Sequence, residues 1–145
     1  VLRKGKDVAV IAYGSMVYPA MDAAEQLARS GVNVSVINAR FVKPLDAELI
    51  LSTARESSLI VTVEEAYLAG GFGSAVMELL EENGLQDKVK VVRMGVPDEI
   101  VSHGDPNRLL GDYGLDADGI YKRVLGSLDA LNEERNGGRK MRAVK

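Results

Sequence analysis

Leu59-Ile60-Val61-Thr62-Val63-Glu64-Glu65, followed by Gly70-Gly71-Phe72-Gly73-Ser74-Ala75-Val76 and on to Gly84, reads as strand, turn and helix, and that reading decides the fold. The first five residues are apolar or β-branched and lack polar alternation, as in a strand covered on both faces. The run is expected to stop at the acid pair Glu64-Glu65. Beyond the glycines the period changes. Phe72, Ala75, Val76, Leu79 and Leu80 form one apolar helical stripe, with Glu78, Glu81 and Glu82 pointing away from it. Gly84 stands where a helix C-terminus favours a left-handed residue. Burying Phe72 and each large aliphatic side chain should contribute about 1.5–3 kcal/mol before entropy is subtracted.

A glycine-rich turn between a parallel strand and a helix is a common seat for a phosphate. Here the dinucleotide fingerprint is incomplete. Gly71 and Gly73 supply its first two glycines, but Val76 stands at the third, and no acid ends the next strand, Val91-Val92-Arg93-Met94. The expectation is therefore a tight turn and close helix–sheet packing, with an anion site as the alternative.

Outward from this unit, strand and helix signals alternate. Val8–Tyr13 and Val32–Asn38 read as strands, and a helix starts between Ser15 and Pro19, because proline is tolerated only in the first turn. Ala20, Ala23, Ala24, Leu27 and Ala28 make its stripe, and their small size lets it lie close to a sheet. Asp46, Asp105 and Asp116 are expected N-caps, with Pro106 at the first helical position after Asp105. Lys88–Met94 is the last strand. The helix after Asp116 carries Ala117, Ile120, Tyr121, Val124, Leu128 and Leu131 on one face. Alternation of this kind predicts a parallel sheet wrapped on both sides by helices with right-handed crossovers. Val1–Lys4 is expected as a short edge strand, and the abrupt start without methionine suggests a fragment.

The 145 residues are 46% hydrophobic and 27% charged, enough for one domain with a real core. There is no cysteine, which excludes disulfides and thiolate chemistry and fits a reducing, cytoplasmic setting. No apolar run approaches the ~18 residues of a membrane span, and no secretory signal opens the chain. Of the net charge of −3, the last eleven residues carry +5 (Arg135, Arg139, Lys140, Arg142, Lys145), leaving −8 on the rest. The reading is a domain at 1–131 and a basic tail at 132–145 without fixed structure, with no nucleic-acid or membrane partner.

Candidate sites are few. His103, the single histidine, is an acid–base candidate by residue type but reads as a surface loop residue; Ser102 beside it forms no catalytic triad. Glu64 and Glu65 end a strand at the carboxyl edge, where open α/β sheets place ligands. They suit capping or contact with a neighbouring domain better than metal binding. Ser15 ends another strand on that edge, as cap or anion contact. Arg40 and Lys43 flank Phe41 in a third loop, as a contact surface does.

Several motifs in order are Gly14-Ser15-Met16-Val17-Tyr18-Pro19, Ile37-Asn38-Ala39-Arg40-Phe41-Val42-Lys43-Pro44-Leu45-Asp46, Glu64-Glu65 with Gly70–Ser74, Gly95-Val96-Pro97-Asp98 and Gly114-Leu115-Asp116. Together, over about residues 1–130, the chain resembles the C-terminal domain of the 1-deoxy-D-xylulose-5-phosphate synthases, a transketolase-like, thiamine-diphosphate-dependent family. The Ala39–Asp46 stretch carries the resemblance most specifically. It implies a three-layer α/β/α fold with a five-stranded, mostly parallel sheet and a short antiparallel edge strand. It also implies membership of a homodimeric, cytoplasmic transferase that needs thiamine diphosphate and Mg2+. That enzyme condenses pyruvate with D-glyceraldehyde 3-phosphate, releases CO2, and feeds isoprenoid, thiamine and pyridoxal synthesis. The family's cofactor motif, Gly-Asp-Gly followed later by Asn, has no full match. Gly111-Asp112-Tyr113 and Gly104-Asp105-Pro106 come nearest. The resemblance therefore assigns this chain no catalytic, cofactor-binding or metal residue. It implies an inactive domain whose partners are the preceding domains of the same enzyme and a second copy. The alternatives are a stand-alone small-molecule or anion-binding domain, or the equivalent domain of a transketolase or a 2-oxo-acid dehydrogenase β subunit.

Overall fold

The computed structural model describes the backbone of residues 1–142 and the side chains of residues 1–136. Its strands are β1 (Val8–Ala12), β2 (Val34–Asn38), β3 (Leu59–Tyr67) and β4 (Lys90–Val96). Between and after them lie α1 (Val17–Arg29), α2 (Ala47–Glu56), α3 (Phe72–Glu82), α4 (Pro106–Asp112) and α5 (Ala117–Arg142). The order across the sheet is β2-β1-β3-β4, with every pair parallel. A strand can be covered on both faces only if helices lie on both, and two apolar layers result. Val10, Val36, Val61 and Val63 pack against Ala20, Ala23, Ala24 and Leu27 of α1 and Ile120 and Val124 of α5. On the other face Ile11, Ile37 and Ile60 pack against Ile50 of α2 and Phe72, Val76 and Leu80 of α3.

The helix starts follow from the caps. Asp46 Oδ1 accepts from the Leu49 N–H, Asp105 Oδ1 from Arg108 and Asp116 Oδ1 from Gly119. Pro19 is the third residue of α1, where its missing N–H is no loss.

Two expectations need correction. The sheet has four strands, not five. Val1–Lys4 contributes an antiparallel bridge, Arg3 to Val36, on the outer edge of β2. Its N–H groups and carbonyl do bond to Val36, but Leu2 is exposed and no apolar face holds more of the segment down. The central strand also does not stop at the acid pair. β3 runs on through Glu64, Glu65 and Ala66 to Tyr67, with an irregular register against β4 after Val63. α5 continues past residue 131 to Arg142; the end of the expected basic tail, residues 143–145, lies outside the described residues.

Candidate functional site

The loops at the carboxyl ends of β1, β2 and β3 bring Ser15, Arg40, Phe41, Glu65 and Tyr67 to one edge of the sheet. Successive strand residues face opposite sides, so the two neighbouring glutamates part company there. Glu64 turns toward α3 and is 1% exposed. Its Oε2 accepts from the Phe72 N–H at 2.6 Å and its Oε1 from the Gly73 N–H at 2.8 Å. Those are first-turn donors of α3 that have no partner within the helix, and a negative charge there is also favoured by the helix dipole. The anion seat that a glycine-rich turn creates is thus filled by the chain's own carboxylate.

The glycines make that seat possible. A Cβ on Gly71 would lie 2.2 Å from Glu64 Oε2 and 2.3 Å from the Tyr67 carbonyl oxygen. A Cβ on Gly73 would lie 2.6 Å from Thr62 Oγ1 and 3.0 Å from Arg93 Cδ. Close packing, the expected role, accounts for both positions. Thr62 Oγ1 itself is buried without a hydrogen-bond partner in the described structure. The Tyr13 ring stacks on Phe72, centroids 5.8 Å apart, and ties the end of β1 to the start of α3.

Glu65 faces the other way, is exposed, and accepts a hydrogen bond from Ser15 Oγ at 2.5 Å. Two residues singled out separately in the sequence therefore form one link across the sheet edge. Arg40 has a left-handed backbone (φ 58°) and its N–H donates to Asn38 Oδ1. This turn displays Phe41, which is 60% exposed, on the same edge as Tyr18 (78%) and Tyr67 (50%). Arg40 and Lys43 are exposed beside it. His103 sits apart, exposed in the loop before α4.

Among the described residues no three His, Cys, Asp or Glu gather in one place, whereas hard cations need several converging oxygens. Of the two Gly-Asp sequences, the Asp105 carboxylate is engaged as a cap, and Asp112 lines a groove beside Arg93, Lys122 and Arg123. Among the described residues no helix is long and apolar enough to cross a membrane.

Comparison with known proteins matches residues 1–120 to the family described as "Transketolase, C-terminal domain". The 1-deoxy-D-xylulose-5-phosphate synthase 1 of Geobacter metallireducens is 55% identical over 124 residues, covering 86% of this chain and 20% of the relative. The 1-deoxy-D-xylulose-5-phosphate synthase of Synechococcus sp. (strain JA-3-3Ab) is 49% identical over 135 residues, covering 93% and 20%. The chain thus spans about a fifth of the length of these curated relatives. A solved structure described as a split gene transketolase, an inactive β4 tetramer, superposes with a TM-score of 0.81 at 37% identity, covering 89% of this chain and 41% of that one.

Proposed function

We propose, for a chain that belongs to the transketolase C-terminal domain family, that it serves as the C-terminal domain of a 1-deoxy-D-xylulose-5-phosphate synthase. The complete enzyme joins pyruvate to D-glyceraldehyde 3-phosphate with loss of CO2, using thiamine diphosphate and Mg2+ held by its other domains. This domain supplies contact surface and no reacting group. The observation that carries the reading is the Glu64 carboxylate on the α3 N-terminus. It closes the one glycine-rich turn that could otherwise have received a phosphate.

The carboxyl edge supports the contact role. Tyr18, Phe41 and Tyr67 are each at least half exposed there, with Arg40, Lys43 and Glu65 among them. Exposed aromatics beside charged side chains are the composition of a protein interface. The companions are the preceding domains of the same cytoplasmic enzyme and a second copy in a homodimer. The high identity to synthases favours this over a 2-oxo-acid dehydrogenase β subunit.

The test is an activity assay. The 145-residue chain, given pyruvate, D-glyceraldehyde 3-phosphate, thiamine diphosphate and Mg2+, is expected to release no CO2 and form no sugar phosphate, while the complete enzyme does both. Turnover by this chain alone would overturn the proposal.

A further inference from the structure

β4 is an edge strand, and a groove of about 600 Å³ lies against it, lined by Arg93, Asp112, Tyr113, Lys122 and Arg123. Arg93 lies opposite Thr62 in the register, half-buried, with its stem against Gly73. Its Nη1 donates to the Leu68 carbonyl and to Ser74 Oγ, each at 2.8 Å. Two bonds to backbone and hydroxyl hold the fork in place without neutralising it. Among the described residues no carboxylate lies within ion-pair distance of Arg93, Lys122 or Arg123, and Nε and Nη2 of Arg93 make no hydrogen bond.

Arg93, reaching the α3 side of the β4 edge, and Lys122 and Arg123 of α5 all line this groove, and Asp112 is the one carboxylate among the described lining residues. The nearby Glu99 carboxylate accepts from the Tyr113 hydroxyl at 2.9 Å. That hydrogen bond, followed by burial, raises the Tyr113 pKa above the usual phenol range, so the ring adds no charge to the groove at neutral pH. A fixed arginine fork with donors to spare matches two phosphate oxygens at once. The groove's volume lies within the range typical of small-molecule sites.

We propose that this groove binds a small phosphate-bearing anion, with Arg93 as the pre-positioned fork and Lys122 and Arg123 as flanking charges. The site is distinct from the glycine-rich turn, which Glu64 fills, and it needs none of the complete enzyme's chemistry.

Titration of the chain with inorganic phosphate at constant ionic strength, followed by amide NMR, tests it. The expected result is saturable shifts at Arg93, Gly95, Gly119 and Lys122. Lys122→Ala and Arg123→Ala, both exposed positions, should each weaken binding about tenfold, the loss of one charge-assisted hydrogen bond. Arg93→Lys, which keeps the charge and loses the fork, should weaken it by at least as much. Lys88→Ala, exposed and outside the groove, should change nothing. Non-saturable shifts, shifts centred on Phe72 and Gly73, or an equal loss in Lys88→Ala would overturn the proposal.

Discussion

Glu64→Ala is expected to destabilise the fold by about 3–4 kcal/mol, because it strips two buried N–H groups of their acceptor at roughly 1–3 kcal/mol each and removes the charge facing the helix dipole. The Phe72 and Gly73 amides lie under β3, away from water, so no solvent replaces the lost oxygens. Glu64→Gln should fall between, since an amide offers one acceptor oxygen to two donors and sets its NH2 group against the other. Glu65→Ala is the control. Its carboxylate is exposed and holds one surface hydroxyl, so the change should stay within about 0.5 kcal/mol. For a domain of this size the Glu64→Ala loss corresponds to a fall in Tm of roughly 10 °C. Equal melting of the two alanine variants would refute the capping role.

The second large effect belongs to Gly71→Ala. One methyl group usually favours folding, by about 0.4–1 kcal/mol, where the backbone accepts it. The Gly71 backbone does accept it, with φ −82°, so conformational strain is not the issue. The obstacle is space: the methyl would sit 2.3 Å from the Tyr67 carbonyl and 2.2 Å from the Glu64 carboxylate. Relief requires moving β3's end or swinging Glu64 off its two amides, and either route gives up the cap. The expected cost is about 2–4 kcal/mol, overpacking plus lost hydrogen bonds. In a Glu64→Ala background the same substitution should cost far less, because part of the obstacle has gone; that non-additivity is what contact between the two residues requires. Strict additivity of the two losses would contradict the geometry. A thermal or denaturant melt of the four proteins measures it.

The layered fold was legible because its signals are local. Apolar runs such as Val8–Ala12 and Leu59–Val63, and the Phe72–Leu80 stripe, declare their type within a dozen residues. Aspartate caps at Asp46, Asp105 and Asp116 fixed three helix starts in the same way. The extension of β3 was hidden because hydropathy counts Glu64 as a surface residue, whereas it is buried through bonds to amides eight and nine positions later. The signal that could have found it is the spacing of an acid before a glycine pair, read together with the failed phosphate fingerprint. The N-terminal segment was expected on an edge and lies on one, but it was drawn too long, since Val1 and Leu2 are exposed and one bridge, Arg3 to Val36, is all that forms. The groove had no sequence signature at all. Arg93 and Lys122 come from elements separated by α4, and only the fold brings them together.

The claim at the centre of this account is that the chain's glycine-rich turn is already occupied and offers the cofactor no seat. Calorimetric titration of the folded chain with thiamine diphosphate plus Mg2+ tests it most directly. Any saturable heat is predicted to match that of inorganic phosphate at the β4 groove and to fall in Lys122→Ala, with none assignable to the glycine-rich turn. Saturable binding at micromolar cofactor, abolished by substitution at Gly71 or Gly73 and not at Lys122, would contradict it.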